Sequence, residues 1–293
     1  MGLCPEKWDK MILTIRSGII SKAIRLIRLI ADNAAMDWPV REISSKIGIP
    51  RSTVHRICHA LTNEGILELD PKTKRYHWGP ELVYIAQAVY QGNEVRRLAM
   101  PVLRKIVTEC NETAHLSIYE RSKKKLIFTD ELPCSQLIRF NTPIGMSLPL
   151  HPGASGKSIM AYLPEKEIKK IINSGLEAVT SRTVTNPKRV REDLKEVRLN
   201  GYAKTEGERT PEAVGIACPI FDSKAQVIAS LVVTIPSYRF NPEIEHSIVQ
   251  LVRDGSEHIS RLLGLPLDIP YPPPYEDYCN RRNAKKRKIR TKV

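Results

Sequence analysis

The run Gly48-Ile49-Pro50-Arg51-Ser52-Thr53-Val54-His55-Arg56-Ile57-Cys58-His59-Ala60-Leu61-Thr62-Asn63-Glu64-Gly65 decides how the first part of this 293-residue chain folds. Val54, Ile57, Cys58 and Leu61 recur three or four residues apart, which on a helix makes one apolar stripe. Ser52, Arg56, His59 and Asn63 fall on the opposite side, and Glu64-Gly65 ends the pattern. Arg51, Ser52, Thr53, His55 and Arg56 crowd into the N-terminal half. A helix that buries one side and offers short polar and basic side chains on the other can lie against base edges and phosphates. Its free N-terminal N–H groups and positive dipole also suit phosphate. The same composition describes an ordinary surface helix with a solvated face, so the neighbouring elements must decide.

Upstream, Ile20, Ala23, Ile24, Ile27 and Ala31 recur at helical spacing between Ser17 and Ala31. Asp37-Trp38-Pro39 interrupts, and Val40, Ile43 and Ile47 give a short second helix that stops at Gly48. Downstream, Ile66–Leu69 and Arg75–Trp78 flank Asp70-Pro71-Lys72-Thr73-Lys74, a hairpin with a basic tip. Three short helices followed by a hairpin is the order of a winged helix-turn-helix, with the hairpin as the wing.

Gly79-Pro80-Glu81 then starts another amphipathic stretch through Leu82, Ile85, Ala86 and Val89, read as a linker helix. Ala99, Val102, Leu103, Ile106, Val107 and Cys110 line one face of a longer helix. Beyond it the period changes to that of strands at Thr113–Tyr119, Lys125–Leu132, Leu137–Phe140, Val214–Phe221 and Val227–Ile235. Helices are predicted over Ala154–Tyr162, Glu165–Asn173, Arg189–Asn200 and Pro242–Leu263. Strands joined mainly by hairpins and interleaved with helices predict an antiparallel sheet covered by helices, so the fold class is α+β. Leu265–Tyr278, rich in proline and tyrosine, and the basic residues after it are expected to be extended and without order.

The length suits two domains, and 42% hydrophobic residues suffice for a sizeable core. There is no run of about 18 apolar residues, and Met1–Lys10 lacks the apolar stretch of a signal peptide, which predicts a cytoplasmic protein without a membrane partner. The formal charge of +14 favours polyanions, although Asn280–Val293 alone carries eight cations and no acid. The six cysteines form no C-x-x-C pair, and no metal site is expected. His55 and His59 have metal-like spacing around Cys58 but no third ligand. His151-Pro152-Gly153-Ala154-Ser155-Gly156-Lys157-Ser158 suggests a nucleotide phosphate loop yet has histidine where the first glycine belongs. Neither a G-x-S-x-G turn nor paired carboxylates point to catalysis, so no enzyme activity and no cofactor are expected.

Val40-Arg41-Glu42-Ile43 through Gly48–Arg56 resembles the helix-turn-helix signature of the IclR family, and Tyr76-His77-Trp78-Gly79-Pro80 resembles its wing-to-linker segment. The likeness spans about Ser17 to Gly264. It implies a ligand-responsive regulator of a catabolic gene set, repressor or activator, that binds a partly palindromic double-stranded operator as a homodimer or homotetramer. The implied layout is an N-terminal extension over 1–16, a winged helix-turn-helix over 17–80, a linker helix over 81–97, a GAF-like effector domain over 98–264 and a tail over 265–293. The candidate DNA contacts are Lys46, Arg51, Ser52, Thr53, His55 and Arg56, with Lys72, Lys74 and Arg75 on the wing.

The segment around Ala154 and Ser155 also resembles the family's effector loop, where backbone N–H groups at a helix start meet a small carboxylate. The family's acidic contact falls on Thr205, its cysteine or serine on Gly215 and its paired hydroxyls on Val232 and Thr234. With the acid, the thiol and one hydroxyl replaced, the set suits a larger or more apolar effector than a small keto acid, a carboxylate or aromatic metabolite, or else no ligand at all. Two other classes stay open on residues alone: an architectural protein that coats DNA by charge, and an enzyme acting on a small ligand in the second domain.

Overall fold

The computed structural model describes residues 18–31, 37–142, 144–145 and 147–275, which divide after Gly92 into two units. The expected N-terminal extension over 1–16, Cys4, Cys279 and the basic tail lie outside the described residues. No helix among the described residues is long and apolar enough to cross a membrane.

In the first unit, α1 (Ile19–Ala31), α2 (Val40–Ile47) and α3 (Arg51–Asn63) precede a hairpin of β1 (Leu67–Leu69) and β2 (Tyr76–Trp78). Gly48 adopts left-handed φ 64° and donates its N–H to Ser44 O, which stops α2 and turns the chain toward α3. The Arg25 guanidinium donates to Ile47 O at 2.6 Å, tying α1 to the end of α2. Trp38 pairs with Tyr76 as an isolated antiparallel bridge, adding a short third rung to the hairpin. Leu26, Ile30, Trp38, Ile43, Val54, Ile57, Cys58, Leu67 and Tyr76 form the core.

That core corrects the expectation for α1. Leu26 and Ile30 are its buried residues, whereas Ile20 is 73% exposed and Ile24 is exposed too. The apolar face of the helix is wider than one stripe, so Ala23, Leu26 and Ile30 along one edge of it compete with Ile20 and Ile24 along the other, and packing chose the first.

The helix expected over 81–97 is two helices, α4 (Glu81–Gly92) and α5 (Glu94–Cys110). Asn93 is extended and its side-chain oxygen accepts the Arg96 N–H at 3.1 Å, so it caps α5 and ends the continuity.

The second unit is a six-stranded antiparallel sheet in the order β5-β4-β3-β8-β7-β6. Its strands are β3 (Thr113–Glu120), β4 (Lys125–Leu132), β5 (Ser147–Leu148), β6 (Ala203–Glu206), β7 (Ala213–Phe221) and β8 (Val227–Pro236). One face packs on α5 and on α9 (Pro242–Leu262) through Leu116, Ile216, Leu231 and Val252. The other packs on α6 (Ala154–Met160), α7 (Glu165–Asn173) and α8 (Pro187–Asn200) through Phe128, Ile159, Ile171, Leu194 and Phe221. Helix α8 starts two residues before the expected Arg189, because Asn186 caps it and Pro187 suits its first position.

Two expectations fail here. Leu137–Phe140 is not a strand: Leu137 is 99% exposed, and the edge beside β4 is taken by Ser147–Leu148 paired to Leu126 and Ile127. Side chains hold that loop instead, with Asn111 Oδ1 accepting from Ser135 and the Arg239 guanidinium donating to Ile138 O. Nor is the segment after Gly264 without order as far as Tyr275. Leu265, Ile269 and Tyr271 are buried in the sheet–helix core, and Tyr271 Oη donates to Pro219 O at 2.6 Å. Tyr275 lies under the Arg198 guanidinium at 3.5 Å.

Candidate nucleic-acid interface and effector pocket

Helix α3 is anchored by Val54, Ile57 and Cys58, all buried. Burial pushes the Cys58 thiol up to about 12, so it is an inert core residue and no partner to the exposed His55 and His59 in metal binding. The Asn63 amide donates to His59 Nδ1 at 3.4 Å. Arg51, Ser52, His55 and Arg56 are exposed and Thr53 is half-buried, so the polar side faces outward within this unit. Lys46, in the last turn of α2, is exposed as well. None of Lys46, Arg51 and Arg56 is ion-paired among the described residues.

The wing presents its cations through a tight turn. Asp70 Oδ1 accepts from the Lys72 and Thr73 N–H groups at 2.7 and 3.1 Å, and its backbone oxygen accepts from Lys74. Those backbone donors, Thr73 first and then Lys72, hold the Asp70 carboxyl below the usual carboxylate range. The carboxylate is thereby spent inside the turn, and Lys72 and Lys74 project as exposed charges at its tip. Arg75 differs: it is exposed, but its guanidinium donates to Asp37 O at 3.3 Å and braces the base of the hairpin.

In the second unit the register sets Thr205 opposite Gly215 and Gly215 opposite Thr234, a row across β6, β7 and β8. Two residues along, Ala217 pairs with Val232 on the same face. Ala154 and Ser155, at the start of α6, lie over this row, so all six residues expected at an effector site line one cavity of about 40 Å³. Gly215 lies close under α6: a Cβ there would sit 3.2 Å from Ala154 Cβ and 3.7 Å from Thr205 Oγ1. A side chain at the position that the resemblance gives to a cysteine or serine would therefore need α6 to give by a few tenths of an ångström. Gly156 is tighter still, since a Cβ would fall 2.0 Å from Leu150 O.

The Gly-Lys-Ser run has a structural use. Lys157 is buried, and its Nζ lies 2.6 Å from both Asp193 Oδ2 and Glu208 Oε1. Glu208 Oε2 accepts the Gly153 N–H at 3.4 Å, fixing the turn before α6. A lysine consumed by two carboxylates is not offered to a phosphate.

Sequence reasoning missed Glu208 and Arg209, which also line the cavity, together with Phe128, Phe140 and Thr142. The signal was an adjacent acid and base in the loop before β7, a pattern that ordinarily marks solvated surface. His115 was missed too. It is fully buried beside Phe128, edge to face at 5.6 Å, and desolvation lowers its pKa to about 4. Its Nδ1 lies 3.4 Å from Glu131 Oε2 without hydrogen-bond geometry, so the ring is neutral and both nitrogens lack a protein partner.

Comparison with known proteins covers both units. The model of the IclR helix-turn-helix domain matches residues 20–71, and that of the bacterial transcriptional regulator IclR C-terminal region matches residues 87–261. The chain is 30% identical over 242 residues to the HTH-type transcriptional regulator BhcR of Paracoccus denitrificans, covering 82% of this chain and 85% of that one. Among solved structures, the IclR regulator from Alicyclobacillus acidocaldarius superposes with a TM-score of 0.77 at 24% identity, covering 84% and 98%. An IclR homologue from Microbacterium hydrocarbonoxydans, complexed with 4-hydroxybenzoate, gives 0.73 at 22% identity, covering 84% and 99%.

Proposed function

Because the chain belongs to the IclR family of bacterial transcriptional regulators, we propose that α3 is its recognition helix and that the cavity over Thr205, Gly215 and Thr234 is its effector site. The protein is a ligand-responsive, DNA-binding regulator and not an enzyme. What carries the recognition assignment is one observation: Arg51, Ser52, His55 and Arg56 stand exposed on a helix whose other side is sealed into the core. Arg56 and Ser52 read base edges of a double-stranded operator, while Arg51, Thr53, His55 and Lys46 position the helix on phosphates. Lys72 and Lys74 on the wing add sequence-independent affinity, and Arg75 mainly supports the wing.

A second copy of the chain completes the reader. Val83, Tyr84, Ile85 and Val89 on α4 are large exposed apolar side chains, and they favour a homodimer, with tetramers by further association. Two recognition helices related by symmetry meet a partly palindromic site. The effector is a carboxylate or aromatic metabolite, a class supported by the 4-hydroxybenzoate bound to the Microbacterium relative. Arg56→Ala tests the DNA reading: footprinting and titration should show operator affinity falling by about 1–3 kcal/mol with far less loss on random DNA. Equal losses on both would take Arg56 off the bases.

A further inference from the structure

The row Thr205, Gly215, Thr234 carries no charge, so the electrostatics of the cavity wall rest on Glu208 and Arg209. Glu208 is committed to Lys157, whose other partner Asp193 is met in turn by Arg189 Nε at 3.1 Å. Those four charges cancel one another. Arg209 has no carboxylate within ion-pairing distance among the described residues. Its Nη2 donates to Pro149 O at 3.1 Å and to Pro152 O, its guanidinium carbon stands 5.8 Å from the centroid of the Phe128 ring, and its Nε is buried without any partner. Burial lowers its pKa to about 10, and it remains a cation at neutral pH. A desolvated guanidinium with an idle N–H, offset only by the non-contacting charge of Glu208 that is itself committed to Lys157, attracts an anion strongly, since charge-assisted forked bonds are the strong ones.

We propose that Arg209 is the specificity-determining residue of this cavity, selecting an organic carboxylate over a neutral molecule of the same shape. The proposal rests on the reading of the cavity as the effector site and deepens it. The Nε of Arg209 donates to one carboxylate oxygen and Nη2 to the other, the side-on fork of arginine. Both hydrogens of Nη2 already hold loop carbonyls, so the fork closes only when Pro149 O or Pro152 O gives way. That exchange answers a problem of size. About 40 Å³ admits a water or two and no metabolite, so the lining must move, and the turn over 149–153, which reaches the cavity at Gly153, is the part whose bonds the ligand itself replaces. Ligand recognition and loosening of the turn before α6 become one event.

The experiment compares matched acids and amides on the full chain: acetate with acetamide, benzoate with benzamide, phenylacetate with phenylacetamide, by calorimetric titration and thermal shift at neutral pH. At least one acid is expected to bind and to exceed its amide by about tenfold or more. Arg209→Met should erase that gap and Arg209→Lys, which keeps the charge but not the fork, should narrow it. An amide that binds as well as its acid overturns the proposal without need of any variant, and so does acid preference surviving in a cooperatively melting Arg209→Met. If only amides bind, the cavity reading stands and Arg209 falls; if no acid and no amide binds, both fall together.

Discussion

Two short runs, Arg51-Ser52-Thr53 at the head of α3 and Gly156-Lys157-Ser158 in α6, pair a cation with small hydroxyl side chains in much the same way, and the fold sends them to opposite fates. On α3 the cations stand in water with no acid beside them, free for an outside polyanion. On α6 every residue is buried and the lysine is matched by carboxylates from α8 and from the loop before β7, some 36 and 51 positions away. A basic residue is available to a ligand only where the rest of the chain has not already supplied its anion. The local run is silent on that, because the anions arrive from elsewhere.

Removing the charge from each helix sharpens the contrast. Lys157→Met strands Glu208 without a cation and leaves Asp193 only Arg189, and stability should fall by about 3–5 kcal/mol in denaturant titration. A loss below about 1 kcal/mol would mean that the acids find water and that Lys157 is not what holds α6 in place. His115 probes the same buried interior through pH. Its folded pKa of about 4 lies below the ordinary 6.5, so the unfolded chain binds its proton first as the solution is acidified. Stability is therefore fully present above about pH 6.5 and is lost as pH falls toward 4, by up to about 3 kcal/mol. His115→Leu should flatten that part of the profile, and an unchanged profile would assign the acid sensitivity elsewhere. On the exposed side, Lys72→Ala or Lys74→Ala should leave melting within about 0.5 kcal/mol of the parent and lower the salt slope of DNA binding by about 1 per residue. A wing lysine that alters folding but not the salt slope would erase the distinction between the two regions.

The head of the molecule was legible because its information is local. Val54, Ile57 and Cys58 recur at one period, Gly48 sits where a left-handed residue is needed, and Asp70 makes a turn with its own neighbours. Even there periodicity leaves α1 undecided, since an apolar face wider than one stripe gives two answers to the same spacing. The cavity row could not come from spacing: Thr205, Gly215 and Thr234 meet only through strand register, and the family resemblance placed them. Arg209 and Glu208 stayed hidden because adjacent opposite charges look solvated until Lys157 and the Pro149 and Pro152 carbonyls are seen beside them. Leu137–Phe140 looked like a strand because it is apolar, but the two residues at Ser147–Leu148 occupy the edge. Asn93 broke a helix that periodicity would carry through, by a single side-chain bond.

The strap from Leu265 to Tyr275 has a practical bearing on how the protein tolerates trimming. Helix α9 stops at Leu262, and Gly264 would look like a natural place to cut. Clipping there would strip Leu265, Ile269 and Tyr271 from the interior and leave Phe221 with Tyr162 but without its other edge-on neighbour, opening voids of the kind that cost several kcal/mol when large side chains are deleted. A protease offered the intact molecule should spare this stretch, and the shortest robust version of the sensing unit ends after Tyr275, not before the prolines.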